Sequence, residues 1–332
     1  MSAAKSERSR RRPRPVHLCA GLLALGLGVS GAGLAQDVAT TLTLPESTAE
    51  VPPELRVHVV VDQDAIFVDG VQVLRLTRVQ DDDGGQVLAV ADDEKRGQLI
   101  TRLYDRMLEK SENEKLFRDA QETLAVLTQR SDVVHQGELL VSIDQGVPFA
   151  VVREVLYTAG QARWGTFLLV THNPWEDADR TIEISLPAIG PPGAFDDDER
   201  PPLNLTMLVT DRGLNVLGAD AVLFPDGAVD TALDDPAPTV PCVSGGACTG
   251  IDDYDWAELS RLLGLVKDEY PDDLSVIVVP ESDISYDVIV RVMDHARWAP
   301  QLPMDAEFGA WEYWKSVRRE LFPQPILAGG AS

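Results

Sequence analysis

The residue types that do chemistry are present in this 332-residue chain, but not at working spacings. Its five histidines, at 17, 58, 135, 172 and 295, are scattered, and none stands at a metal-ligand spacing from another histidine or a cysteine. His295 follows Asp294 at the end of an expected helix, where a charge complementing the helix terminus accounts for it without catalysis. Gly84-Gly85 and Gly245-Gly246 lack the lysine and the helix of a phosphate loop. Ser244-Gly-Gly lacks the flanking glycines of a nucleophile elbow. The chain therefore reads as non-enzymatic, with no catalytic residues, no cofactor and no metal.

Two other pairs carry more information. Cys242 and Cys248 share a glycine-rich loop, and a disulfide between them is favoured over free thiols. Zinc is the weakest reading, because it wants four ligands and no histidine is near in sequence. Asp144 and Glu281 each end a short apolar run just before a helix start. Such carboxylates either form a recognition site at the strand ends or face the positive end of the following helix, and the second is favoured. Trp298, Trp311, Tyr313 and Trp314 crowd residues 297–320, as a partner anchor or as a helix packed on its own module, the latter favoured. The candidate partner-binding residues are Asp144, Phe149, Glu281, Tyr286, Trp311 and Trp314.

The elements that must position them occur twice. Residues 55–70 and 203–218 alternate apolar and other side chains, break at a polar turn and resume, as hairpins with one buried face do. At a spacing of 148 residues, Val57, Val59, Val61, Ile66, Val68 and Gly70 fall on Leu205, Met207, Val209, Leu214, Val216 and Gly218. A strand at residues 139–144 recurs 137 residues later at 276–281. Helix starts follow at Pro148-Phe149 and Ser285-Tyr286. The stripe Val151, Val152, Val155, Leu156, Ala159 then returns as Val288, Ile289, Val292, Met293, Ala296. Between hairpin and strand lies one more amphipathic helix, marked by Leu99, Ile100, Leu103, Tyr104, Met107 and Leu108, then by Trp256, Leu259, Leu262, Leu263, Val266 and Tyr270. Last strands at 167–170 and 326–328 close each copy. The expected fold is α+β: two tandem modules of hairpin, helix, strand, helix, strand, with both helices on one face of a mixed sheet.

Charge and the N-terminus set the compartment. A net charge of −25 excludes nucleic acid as a partner, because phosphates need a basic face. Lys5, Arg8, Arg10, Arg11, Arg12 and Arg14 precede the apolar residues 16–35, an export signal ending in Gly33-Leu34-Ala35. Cleavage after Ala35 is favoured, while retention of 16–35 as an inner-membrane anchor stays open. The expected layout is a leader (1–36), a polar linker (37–54), module one (55–175), an acidic Pro/Gly linker (176–201) with a possible strand at residues 181–186, and module two (202–330) with the aromatic insertion.

The strand, carboxylate, aromatic and helix runs beginning at Asp144 and at Glu281, each behind its hairpin, resemble the periplasmic domain of the ExbD/TolR family of biopolymer-transport proteins. That resemblance implies a proton-motive-force-coupled envelope system, with an inner-membrane motor-type protein or peptidoglycan as partner. Family members carry a proton-bearing aspartate in the membrane helix. Residues 16–35 hold no acidic residue, which argues for an accessory or scaffold role. Two copies in one chain suggest an intramolecular pseudo-dimer. The alternative is a two-lobed periplasmic solute-binding protein, which needs a polar inter-lobe cleft and chain crossings between the lobes.

Overall fold

The computed structural model describes residues 42–80, 84–128, 137–187, 203–224, 237–302, 306 and 308–329. The leader, with both readings of residues 16–35, lies outside the described residues, as does most of the acidic linker. The described residues belong to one compact unit.

The chain is α+β. Its first half opens with the hairpin β1 (His58–Val61) and β2 (Ala65–Val68), which β3 (Val71–Arg75) extends. Two small hairpins follow, β4 (Thr77–Gln80) with β5 (Gln86–Ala89) and β6 (Lys95–Arg96) with β7 (Leu99–Ile100). Then come α1 (Thr101–Thr128), β8 (Glu138–Ile143), α2 (Phe149–Gln161), β9 (Thr166–Asn173) and β10 (Ala178–Ile184). The second half has β11 (Thr206–Thr210), β12 (Gly213–Leu217), α3 (Asp220–Leu223), β13 (Val240–Pro241) and α4 (Trp256–Glu269). It continues through β14 (Ser275–Pro280), α5 (Tyr286–Arg297), β15 (Trp298–Ala299), α6 (Phe308–Val317), β16 (Arg319–Glu320) and β17 (Gln324–Leu327).

Two main sheets run β10-β9-β8-β1-β2-β3 and β13-β12-β11-β14-β17. In both, the hairpin is antiparallel, its first strand pairs parallel with the strand after the long helix, and that strand pairs parallel with the next. Even the registers correspond. Val59 faces Val68 and Val61 faces Ile66 in one hairpin; Met207 faces Val216 and Val209 faces Leu214 in the other. All eight are buried, because a one-residue slip would turn each apolar set out to water. Gly70 and Gly218 close equivalent turns at φ +75 and +89, a region only glycine enters freely. The repeated stripes of α2 and α5 are buried throughout. Leu99 and Ile100 differ from expectation: they form β7, and α1 begins one residue later.

Two segments assigned to linkers are built into the fold, one of them through the possible strand at residues 181–186. Residues 178–184 form β10, paired antiparallel with residues 167–173 of β9, so a boundary at 175 cuts a hairpin in two. Residues 42–53 form a strap along the first sheet, with Glu46 bridged to His172 and Val51 to Thr181. The strap's polar composition hid this, since its backbone, not an apolar face, makes these contacts. The sheets also meet: Ser185, just past β10, bridges Ile326 of β17, with Leu327 N donating to Ser185 O at 3.1 Å. A single apolar core runs through both halves.

Candidate functional site

The repeated helices start without side-chain caps, for neither Pro148 nor Ser285 bonds a helix amide through its side chain. The first amides of any helix lack partners within it, and here the other half provides them. Phe149 N donates to Ile284 O and Ala150 N to Ser282 O, both at 2.8 Å. In return Tyr286 N donates to Val147 O at 3.0 Å and Asp287 N to Gln145 O at 3.1 Å. Donors and acceptors of the two sets are 137 residues apart, so each copy offers the other the same patch, as in a two-fold interface.

This seam relocates most of the residues singled out in sequence. Phe149 and Tyr286 are 1% and 0% exposed, so neither reaches an outside partner; each lies at the start of its helix, on the seam with the other half. Asp144 is 2% exposed, and its carboxylate accepts from Thr43 N and Gln63 Nε2 at 2.9 Å and from Gly146 N at 3.0 Å. It ties strap, hairpin and loop together instead of recognising a ligand. Glu281, the equivalent carboxylate, remains exposed, with a 3.4 Å bond from Asp211 N. The Tyr286 hydroxyl is buried with no hydrogen-bond partner among the described residues, whereas its counterpart Phe149 has no hydroxyl to satisfy. Tyr286→Phe is therefore expected to stabilise the protein by about 1 kcal/mol, read as a higher midpoint in urea unfolding.

Of the insertion's tryptophans, Trp298 and Trp314 pack on each other within the second half, with Trp314 Nε1 donating to Pro300 O at 2.6 Å, and Trp311 packs across to the first half. Trp311, fully buried, stacks on Trp175 of the β9–β10 turn at 5.1 Å and on Trp314 at 5.1 Å. Its Nε1 donates to Glu176 Oε1 at 3.2 Å. Arg318 lies over Trp298 and Trp314 and also pairs with Glu50 of the strap. Tyr313 stays in solvent.

Beneath the strap sits a buried polar cluster that the sequence did not single out. Asp294, 1% exposed, accepts from Ser47 Oγ at 3.1 Å and Thr48 N at 2.7 Å, and Arg297 lies 3.7 Å away. Its signal was an acidic residue among the apolar positions of α5, legible only once something polar is known to cover that face. His295, beside it, is not the charged terminus expected from sequence. Burial, aided by the positive charge of Arg291, pushes its pKa down to about 3. Its Nδ1 is 2.7 Å from Ser260 Oγ, and its ring stacks on Trp256. Between the unfolded value of 6.5 and about 3, the unfolded chain holds a proton that the folded chain refuses. Stability from this residue is thus complete above pH 6.5 and falls as the pH drops through that window. His295→Phe is expected to flatten the decline below pH 6.5 by about 1.4 kcal/mol per pH unit, measured by urea unfolding. His58, also lowered by burial, supplies a slope of the same sign in both proteins.

Two cavities open along the seam. One, of about 510 Å³, is apolar and lies between α2 and the end of β17, with Phe149, Leu156, Trp164 and Leu327 in its walls. The other, of about 590 Å³, is polar and is walled by the strap (Thr43, Glu46), by His172 and Asp179, and by Asp287 and Arg291 of α5. Cys242 and Cys248 form a disulfide, with Cα atoms 5.5 Å apart. Among the described residues no helix is long and apolar enough to cross a membrane, and no group of three or more His, Cys, Asp or Glu side chains could hold a metal ion.

Fold and seam define an α+β protein whose halves cap one another's helices. Comparison with known proteins adds no relative: no family model matches the chain, and no curated protein or solved structure shows significant similarity to it.

Proposed function

We propose that the chain is a non-enzymatic cell-envelope component of the ExbD/TolR kind, with two copies of one module standing in for the two subunits of a dimer. The observation that carries this reading is the reciprocal capping of α2 and α5, repeated at a constant 137-residue spacing. A symmetric contact of this kind is what gene duplication makes of a homodimer interface. The absence of an acidic residue in positions 16–35 removes the proton-carrying role, leaving an accessory or scaffold that binds an inner-membrane motor-type protein or peptidoglycan in the periplasm. The disulfide supports an oxidising compartment.

Fractionation of cells producing the full chain tests this. The protein is expected in the envelope fraction, co-purifying with a multi-span inner-membrane protein after cross-linking or sedimenting with peptidoglycan. Recovery from the cytoplasm with neither association refutes it. The polar cavity favours a second reading, a solute-binding protein. Against it, the seam, the tryptophan stack and the sheet bridge leave the halves no hinge on which to close.

A further inference from the structure

The polar cleft contains a charge left unanswered by its surroundings. Acidic residues outnumber basic ones 54 to 29, so a carboxylate is rarely far from an arginine in this protein. Arg56 has Glu138, Arg180 has Glu176, Arg297 has Asp294 and Arg318 has Glu50. Arg291, on the cleft side of α5, has none: among the described residues its guanidinium forms no ion pair, and its Nε is buried without a hydrogen-bond partner. Asp294, Glu46, Asp252 and Asp287 act on it only through space. The repeat sharpens the contrast. The equivalent position in the first copy, 137 residues earlier, is Glu154, and Lys95 bonds it at 2.9 Å. One copy closes this position with an internal ion pair; the other leaves it facing a cavity.

The cavity's charges select the occupant. A simple anion on Arg291 would be opposed by Glu46, Asp179 and Asp287 in the same walls. A ligand carrying both signs would not. Asp287 already accepts from the Ser285 hydroxyl and Val288 N, whereas the Glu46 side chain bonds no described residue. Leu42, Leu44 and Ile251 add an apolar patch. We propose that this cleft binds a small zwitterion, an amino acid or short peptide with free termini, its carboxylate on Arg291 and its ammonium toward Glu46 and Asp179. The volume of about 590 Å³ lies within the roughly 300–1,000 Å³ of small-molecule sites. Such a site needs no closure of the halves, and it does not rest on the envelope reading.

Calorimetric titration of the full chain with four probes tests it: alanine, alanyl-alanine, N-acetyl-alanyl-alanine and alanyl-alanine amide. Alanine or alanyl-alanine is expected to bind, with alanyl-alanine weakened about tenfold or more by capping either end, the usual worth of one hydrogen bond to a charged group. Arg291→Met breaks no bond within the fold, so its thermal midpoint should hold while affinity for the free probe falls by a similar factor. Glu46→Gln should weaken the free dipeptide but not its N-acetyl form. Absence of heat with both free probes, equal binding of all the dipeptide forms, or undiminished affinity in Arg291→Met overturns the proposal.

Discussion

Trp311→Ala is expected to cost about 3–5 kcal/mol of stability, the range for removing a fully buried tryptophan. Trp311 is the middle ring of a three-tryptophan stack whose outer members are Trp175, from the first half, and Trp314, from its own helix. Its loss leaves a cavity at the junction and takes away the donor to Glu176 Oε1. Lys315, lying 5.1 Å over the same ring, loses that contact too. Urea unfolding gives the magnitude. Near-ultraviolet circular dichroism checks the cause, because coupling between stacked indoles should vanish even where the variant remains folded. A full-strength stacking signal with wild-type stability would show that the insertion does not hold the halves together.

Asp294→Ala should be of comparable size, about 3–5 kcal/mol, because it leaves a partner charge buried and unpaired. Arg297 is 8% exposed and Asp294 1%, so water reaches neither freely. The same carboxylate receives the Ser47 hydroxyl and the Thr48 amide, so its removal also strips two bonds from the strap. The expected result is a double one: a large loss of stability in urea and faster proteolysis within residues 42–53. Asp294→Asn keeps the shape and one acceptor but loses the charge, and should fall between wild type and alanine. If the strap stays protected in Asp294→Ala, its other ties, at Asp144, His172 and Glu50, are sufficient to hold it.

The legible part of this fold was the part written in side-chain periodicity. Val59, Val61, Ile66 and Val68, and their mates Met207, Val209, Leu214 and Val216, alternate in sequence because they line one face of a sheet. The α2 and α5 stripes were legible for the same reason at helical spacing. What escaped was held by backbone. The strap pairs through amides and carbonyls, which nearly every residue carries, so its composition read as linker, and β10 was legible only as a possible strand at residues 181–186 within a linker. The candidate site suffered most. Phe149, Tyr286, Trp311 and Trp314 were noticed as aromatic and well placed, but aromatic character does not say whether a side chain meets solvent or the other half of its own chain.

Sequence alone determined the α+β class, the recurring hairpin and helix patterns and the buried face of each repeated helix, because near-neighbour periodicity encodes them. Tertiary structure alone decided that the loop before α5 caps α2 and the loop before α2 caps α5, that Asp294 meets the strap 246 residues away at Thr48, and that Arg291 faces a cavity without a counter-ion among the described residues. The physical reason is range. A periodic pattern specifies which face turns inward, but a hydrogen bond or an ion pair between distant segments depends on where the folded chain returns.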